Sequence, residues 1–148
     1  MANKNAVGER GAPFTMDVER GKILEFARAT HSSNPAYASE DRPVVPPTFL
    51  TTAGFFWETA SPWPKVELDN QRGLHAEQEF VFFGPPPRAG TRLSCQSRVE
   101  EIYEKEGRRG GTMTFAVMVT EFRDEAGNLV AESRMTGVET ARPPEEES

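Results

Sequence analysis

The sequence predicts an α+β domain, one curved antiparallel sheet wrapped around a central helix, and three stretches carry that prediction. From Val44 to Trp57 the chain is almost continuously apolar, opened by Pro46 and Pro47, which hold Val45 extended and preset a helical first turn. Aromatic side chains surround most of this segment, and a helix that is apolar on all sides belongs inside. Beyond Glu67 the apolar residues alternate between turn signals, as strands do. Ahead of it, Ile23, Phe26, Ala27 and Thr30 recur at i, i+3, i+4, i+7, the spacing of a helix packed by one side. Helices against one face of a sheet give the α+β arrangement.

Taken in order, residues 1–12 are polar, with Gly8 and Gly11, and read as a flexible arm. The domain proper is expected over 13–140. Phe14 to Met16 suits a short strand, and Asp17 suits the N-cap of a helix from Val18 to about Thr30. His31 to Pro43 is a polar connection rich in turn formers, of a length often given to function. The central helix follows, and Ser61-Pro62-Trp63-Pro64 stops it. Lys65 to Gly73 is expected to run over the surface. Leu74 to Phe83 begins the sheet, with Phe80 and Phe82 on one face and Val81 and Phe83 on the other, the pattern of a strand buried on both sides at least near its end. Gly84 to Gly90 is a rigid turn. From Thr91 to Lys105 the alternation changes phase at Ile102, so a bulge is expected at Glu100 or Glu101. Glu106 to Gly111 reads as a hairpin loop, Thr112 to Arg123 as the central strand, and Leu129 to Thr140 as the last one. Residues 141–148 form an acidic tail with nothing to bury, expected to be disordered.

Composition narrows the function classes. Lys and Arg number 17 against 23 acids, for a net charge of -6, and no basic stripe exists to capture nucleic acid. No apolar run reaches the length of a membrane span, and no secretion signal opens the chain. The single cysteine, Cys95, excludes an internal disulfide, fits a reducing cytoplasm, and sits in an alternating run as a packed strand residue would. No His, Cys or carboxylate spacing suggests a metal site.

Several words in the sequence carry a resemblance. Phe26-Ala27-Arg28-Ala29-Thr30 leads to Asn34-Pro35-Ala36-Tyr37, then come Val45-Pro46-Pro47-Thr48-Phe49, Leu74-His75-Ala76-Glu77-Gln78-Glu79-Phe80 and Pro87-Arg88-Ala89-Gly90-Thr91. In this order they resemble the MaoC-like hydratase/dehydratase family, specifically its N-terminal-type hot-dog domain, also found as a subunit of mycobacterial-type (3R)-hydroxyacyl dehydratases. The likeness runs from about Pro13 to Val138. It implies a hot-dog fold and chemistry on thioesters: reversible addition of water to a trans-2-enoyl group carried by coenzyme A or acyl carrier protein, with no other cofactor. That reaction needs a base for water, an acid for the α carbon and an N–H donor at the thioester oxygen.

Catalytic members of the family place an Asp two residues before the Asn of Asn-Pro and a His three residues after it. Here those positions hold Ser32 and Tyr37, neither of which replaces the pair: a serine hydroxyl is a poor unaided base, and tyrosine ordinarily titrates near pH 10. A glycine N–H near the start of the central helix is replaced by about Pro47, which has none, leaving Thr48 or Phe49 to donate. The resemblance therefore implies a non-catalytic subunit paired with a catalytic MaoC-like hot-dog, with Thr48, Phe49, Phe55, Phe56 and Trp57 as candidate acyl-binding residues. An exposed sheet edge also leads one to expect a homodimer of the isolated chain. Two alternatives stay open: a self-sufficient homodimeric hydratase or thioesterase using His31, Tyr37 or Glu40, and a module that binds an acyl thioester without turning it over. His75 reads as a structural hydrogen-bonding residue, and Arg108 and Arg109 as an exposed hairpin pair.

Overall fold

The computed structural model describes residues 2–38, 40–57, 59–108 and 110–142. Five antiparallel strands form one sheet: β1 (Phe14–Asp17), β2 (Gly73–Phe82), β3 (Arg92–Glu106), β4 (Thr112–Arg123) and β5 (Leu129–Glu139), in the spatial order β1-β3-β4-β5-β2. The central place of β4 follows from its sequence, apolar on both faces, so only a position flanked by β3 and β5 buries it. The helix α1 (Arg20–Ala29) and a 3-10 segment, Phe49–Phe56, lie on one face. Turn chemistry joins the strands as their residues dictate. Gly110 and Gly111 take φ of 80° and 82° in the β3–β4 loop, and Asp124 Oδ1 accepts from the Ala126 and Asn128 N–H groups between β4 and β5. The pairing skips from Val99 to Glu101, so the bulge falls at Glu100.

The core divides in two. Under α1 and the 3-10 segment, Met16, Val18, Ile23, Phe49, Leu50, Leu93, Cys95 and Phe122 are buried together. Nearer the other end, Val66, Val99 and Ala116 pack with Ala2 and Ala6, and Trp63 and Leu68 lie over them. Between the clusters the inner face is polar, with Ser97 and Thr120 hydrogen-bonded at 2.8 Å and Ser133 accepting from Gln78 Nε2 at 2.7 Å.

Five expectations change. The arm is not loose: Gly8 N–H donates to Val99 O, Val99 N–H to Glu9 O, and Gly11 N–H to Ser97 O, while Ala6 is buried. The reason is geometric, because β1 covers only Arg92 to Cys95 of the much longer β3, and the arm satisfies the backbone groups left over. Asp17 does not cap α1. Val18 is tied in extended form by bonds to Thr91 O and from Gly90 N–H, so the helix starts at Arg20 after Glu19, and the Asp17 carboxylate pairs with Arg92 at 2.8 Å. That guanidinium holds the Asp17 carboxyl below the usual range.

The central segment is a 3-10 helix buried on one side only. Phe49, Leu50, Thr52 and Ala53 face the core, whereas Phe55 is 74% exposed and Phe56 46%. Strand β2 is not buried on both faces even near its end, where Val81 and Phe82 are half-buried and Phe83 is 54% exposed, because it lies last in the sheet. Its partner β5 stands on one side and, among the described residues, no strand on the other. Finally, the run from Lys65 is anchored by Val66, which is fully buried. Residues 143–148, most of the expected acidic tail, lie outside the described residues.

Candidate functional site

A groove of about 510 Å³ runs between α1 and the 3-10 segment, lined by Lys22, Glu25, Phe26 and Ala29 from the helix and by Thr51, Thr52, Gly54 and Phe55 from the segment. Two side chains set its floor and wall. Phe26 stands edge-on to Phe49 with ring centroids 5.6 Å apart, which fixes the spacing of the two elements. Lys22 Nζ lies 5.7 Å from the centroid of Phe55 and pairs with Glu25 at 2.8 Å, so this cation at the mouth is held by a ring and a carboxylate. The groove is therefore apolar inside with a charged lip.

The sequence candidates take distinct places around it. Phe55 lines the groove directly, and Phe56 stacks on Phe14 beside it at 6.4 Å. Phe49 is fully buried, its ring committed to the core. Trp57 is half-buried, and its Nε1 lacks an acceptor among the described residues. Thr48 is exposed at the start of the segment, and among the described residues its N–H makes no hydrogen bond, whereas the Phe49 N–H donates to Pro46 O at 3.0 Å.

The end of α1 explains three more. His31 takes φ of 56° as its N–H donates to Arg28 O, and the Ser32 N–H donates to Ala27 O, which together close the helix in a Schellman turn. His31 thus occupies the left-handed position that ends the helix, with its ring exposed. Ser32 Oγ accepts from the Asn34 N–H at 3.4 Å, and Asn34 Oδ1 accepts from the Ala36 N–H, so the Asn-Pro word builds a capped turn. Tyr37 follows half-buried against the core. No carboxylate or imidazole occupies positions 32 and 37.

Other candidates have structural duties. Glu40 pairs with Arg88 at 2.6 Å, and Arg88 also donates to Arg42 O, which assigns the arginine of the Pro-Arg-Ala-Gly word to fixing the loop at residues 40–42. A second hollow of about 420 Å³ beside it mixes Asp17, Glu19 and Asp41 with Arg20 and Arg42 and so favours neither sign of ligand. Cys95 is buried and its thiol pushed up to about 12 by that burial, which makes it inert. His75 is exposed on β2, and among the described residues its ring makes no hydrogen bond, contrary to the structural role expected of it. Arg108 is exposed, and Arg109 lies outside the described residues. Among the described residues no helix is long and apolar enough to cross a membrane.

Sequence reading missed Lys22, Glu25 and Thr51, because charge on the outer face of an amphipathic helix carries no mark of a groove. The only available signal was the run of Phe55 and Phe56 beyond what one helix face can bury.

Comparison with known proteins bears on this geometry. The chain is 33% identical over 130 residues to a UPF0336 protein of Streptomyces coelicolor, a match spanning 80% of each. Its fold superposes on the C-terminally truncated HadBC (3R-hydroxyacyl-ACP dehydratase) complex of Mycobacterium tuberculosis with a TM-score of 0.72 at 24% identity, covering 90% of this chain and 96% of that one. The ChsH1-ChsH2 complex of the same organism gives 0.73 at 14% identity, covering 97% and 93%. These likenesses establish the hot-dog fold. Residues 5–133 match the family described as FAS1-like, dehydratase domain region. With the match covering most of its length, the chain belongs to that dehydratase-region family and folds as a MaoC-like hot-dog.

Proposed function

We propose that this protein is the non-catalytic, acyl-accommodating subunit of a heteromeric cytoplasmic (R)-specific enoyl-thioester hydratase/3-hydroxyacyl dehydratase, and that a separate MaoC-like hot-dog subunit brings the acid and base. The observation that carries the reading is the turn after α1. The two positions where the family's catalytic members keep Asp and His hold Ser32, which bonds the Asn34 N–H, and Tyr37, which packs on the core. Neither side chain removes a proton from water near neutral pH. The apolar groove with its charged lip is, by contrast, suited to an acyl chain whose thioester and carrier stay outside. In this role Phe55 and Phe56 contact the chain, and the Thr48 N–H is the available donor for a thioester oxygen. Coenzyme A or acyl carrier protein enters as part of the substrate, and the reading calls for no resident cofactor.

The HadBC and ChsH1-ChsH2 complexes, each containing a fold like this one, support a paired assembly. The test is co-expression with a hot-dog that keeps the Asp and His words. A co-purifying complex that hydrates crotonyl-coenzyme A, and loses this on removing the partner's pair, is the expected result. A mixed complex as inactive as this chain alone would leave only the binding-module reading.

A further inference from the structure

The face of the sheet turned away from α1 and the 3-10 segment is divided by its side chains into two halves. Ladder partners share a face, and Ile102 with its partner Ala116 packs in the second core cluster. The neighbouring pairs, Glu101 with Val117, Tyr103 with Phe115 and Lys105 with Met113, therefore stand on the outer face. In the half nearer β1 the charges answer one another. Arg98 pairs with Glu100 and with Glu121, each at 2.7 Å, and Arg123 pairs with Glu121 at 2.9 Å, beside a Val119 that is fully buried. That network closes its half of the face.

The other half is apolar in the middle and charged on either side. Phe115 also pairs with Val138, and Val138 with Leu74, so Tyr103, Phe115, Val138 and Leu74 form a row across four strands. The Tyr103 and Phe115 rings stack with centroids 5.0 Å apart, and Leu74 is 58% exposed. On β3 the row is flanked by Glu101 on one side and Lys105 on the other. Both are exposed, and among the described residues neither has an ion pair. Lys105 Nζ stands 5.0 Å from the Tyr103 ring centroid and 5.6 Å from that of Phe115, which holds this cation against the face.

An order of acid, ring and base along one strand complements itself. A two-fold axis laid along the row, between two sheets packed face to face, reverses the strand direction and stacks each strand on its own copy. Tyr103 and Phe115 then meet their counterparts, and Glu101 of each copy lies over Lys105 of the other.

We propose that the outer face around the Tyr103–Phe115 pair is a self-association surface, on which a second copy of this chain packs with Glu101 of each copy against Lys105 of the other. The inference goes beyond the hydratase reading and does not depend on it, since α1 and the groove lie on the opposite side of the sheet. It seats the homodimer expected of the isolated chain on a sheet face rather than on a strand edge.

The test is sedimentation equilibrium of the full chain with these charges exchanged. The wild type should self-associate below about 100 μM, as a small interface does. Glu101→Lys and Lys105→Glu should each weaken this by about tenfold, because two attractive contacts become repulsive ones. Both positions are exposed, so the fold tolerates the changes. The two single variants mixed together should associate as the wild type does, and so should a Glu101→Lys/Lys105→Glu copy with itself, because both arrangements restore acid against base. A chain that stays monomeric at about 100 μM would overturn the inference and leave this face to another protein. Self-association that is indifferent to the single changes, or that neither the mixture nor the double change restores, would overturn it as well.

Discussion

The inner and outer halves of the Phe49–Phe56 segment are built from the same residue types and end in opposite environments. Phe49, Leu50 and Ala53 sit at no more than 1% exposure, whereas Phe55 is 74% exposed only six residues from Phe49. The difference shows which aromatics hold the fold together and which are free for something else. Within the inner half the Thr52 hydroxyl donates to Phe49 O at 2.8 Å, and Phe49, Leu50 and Ala53 pack in one cluster with Leu93, Cys95 and Phe122 of the sheet. Phe55 and Phe56 follow at the end of the segment, outside that cluster.

The comparison is sharpest at its inner end. Phe49→Ala removes a fully buried ring that fixes Phe26, and should cost about 3–5 kcal/mol in urea unfolding. A smaller loss is expected where the second cluster closes. A Cβ on Gly137 would lie 2.6 Å from the Trp63 ring, so Gly137→Ala should cost about 1–3 kcal/mol by overpacking, seen as a lower urea midpoint with unchanged m.

Cys95 reports on the same inner region. With its thiol pushed up to about 12 by burial, Cys95 carries almost no thiolate at pH 8, so labelling with iodoacetamide should be far slower than for a free cysteine. The Phe49→Ala change should accelerate it by opening the site. The smallest effect belongs to the outer half: Phe55→Ala should move stability by no more than about 0.5 kcal/mol. In a mixed complex with a catalytic subunit, the same change should shift the acyl-chain preference. A Phe55→Ala variant as unstable as Phe49→Ala would erase the distinction between the halves.

Much of the sheet was legible in the sequence, and the reason is local. The bulge at Glu100, the central place of β4 and the turn at Asp124 each follow from periodicity or from a side chain bonding its own backbone. The misread parts depend on what lies next to them. Gly8 and Gly11 look like a loose arm until β3 is seen to outrun β1, and Phe80, Val81 and Phe82 look doubly buried until β2 proves to be the last strand. The same holds at the site. The absence of Asp and His at positions 32 and 37 is plain from the sequence, but the groove depends on how far α1 stands from the 3-10 segment, a distance set by Phe26 on Phe49.

Everything in the functional account depends on the chain having no proton-handling pair of its own. The most direct measurement is hydration of crotonyl-coenzyme A by the full chain purified from a host lacking any related hot-dog subunit. The account predicts a rate indistinguishable from buffer, unchanged by His31→Ala or Tyr37→Phe. Turnover above background that either substitution abolishes would contradict it.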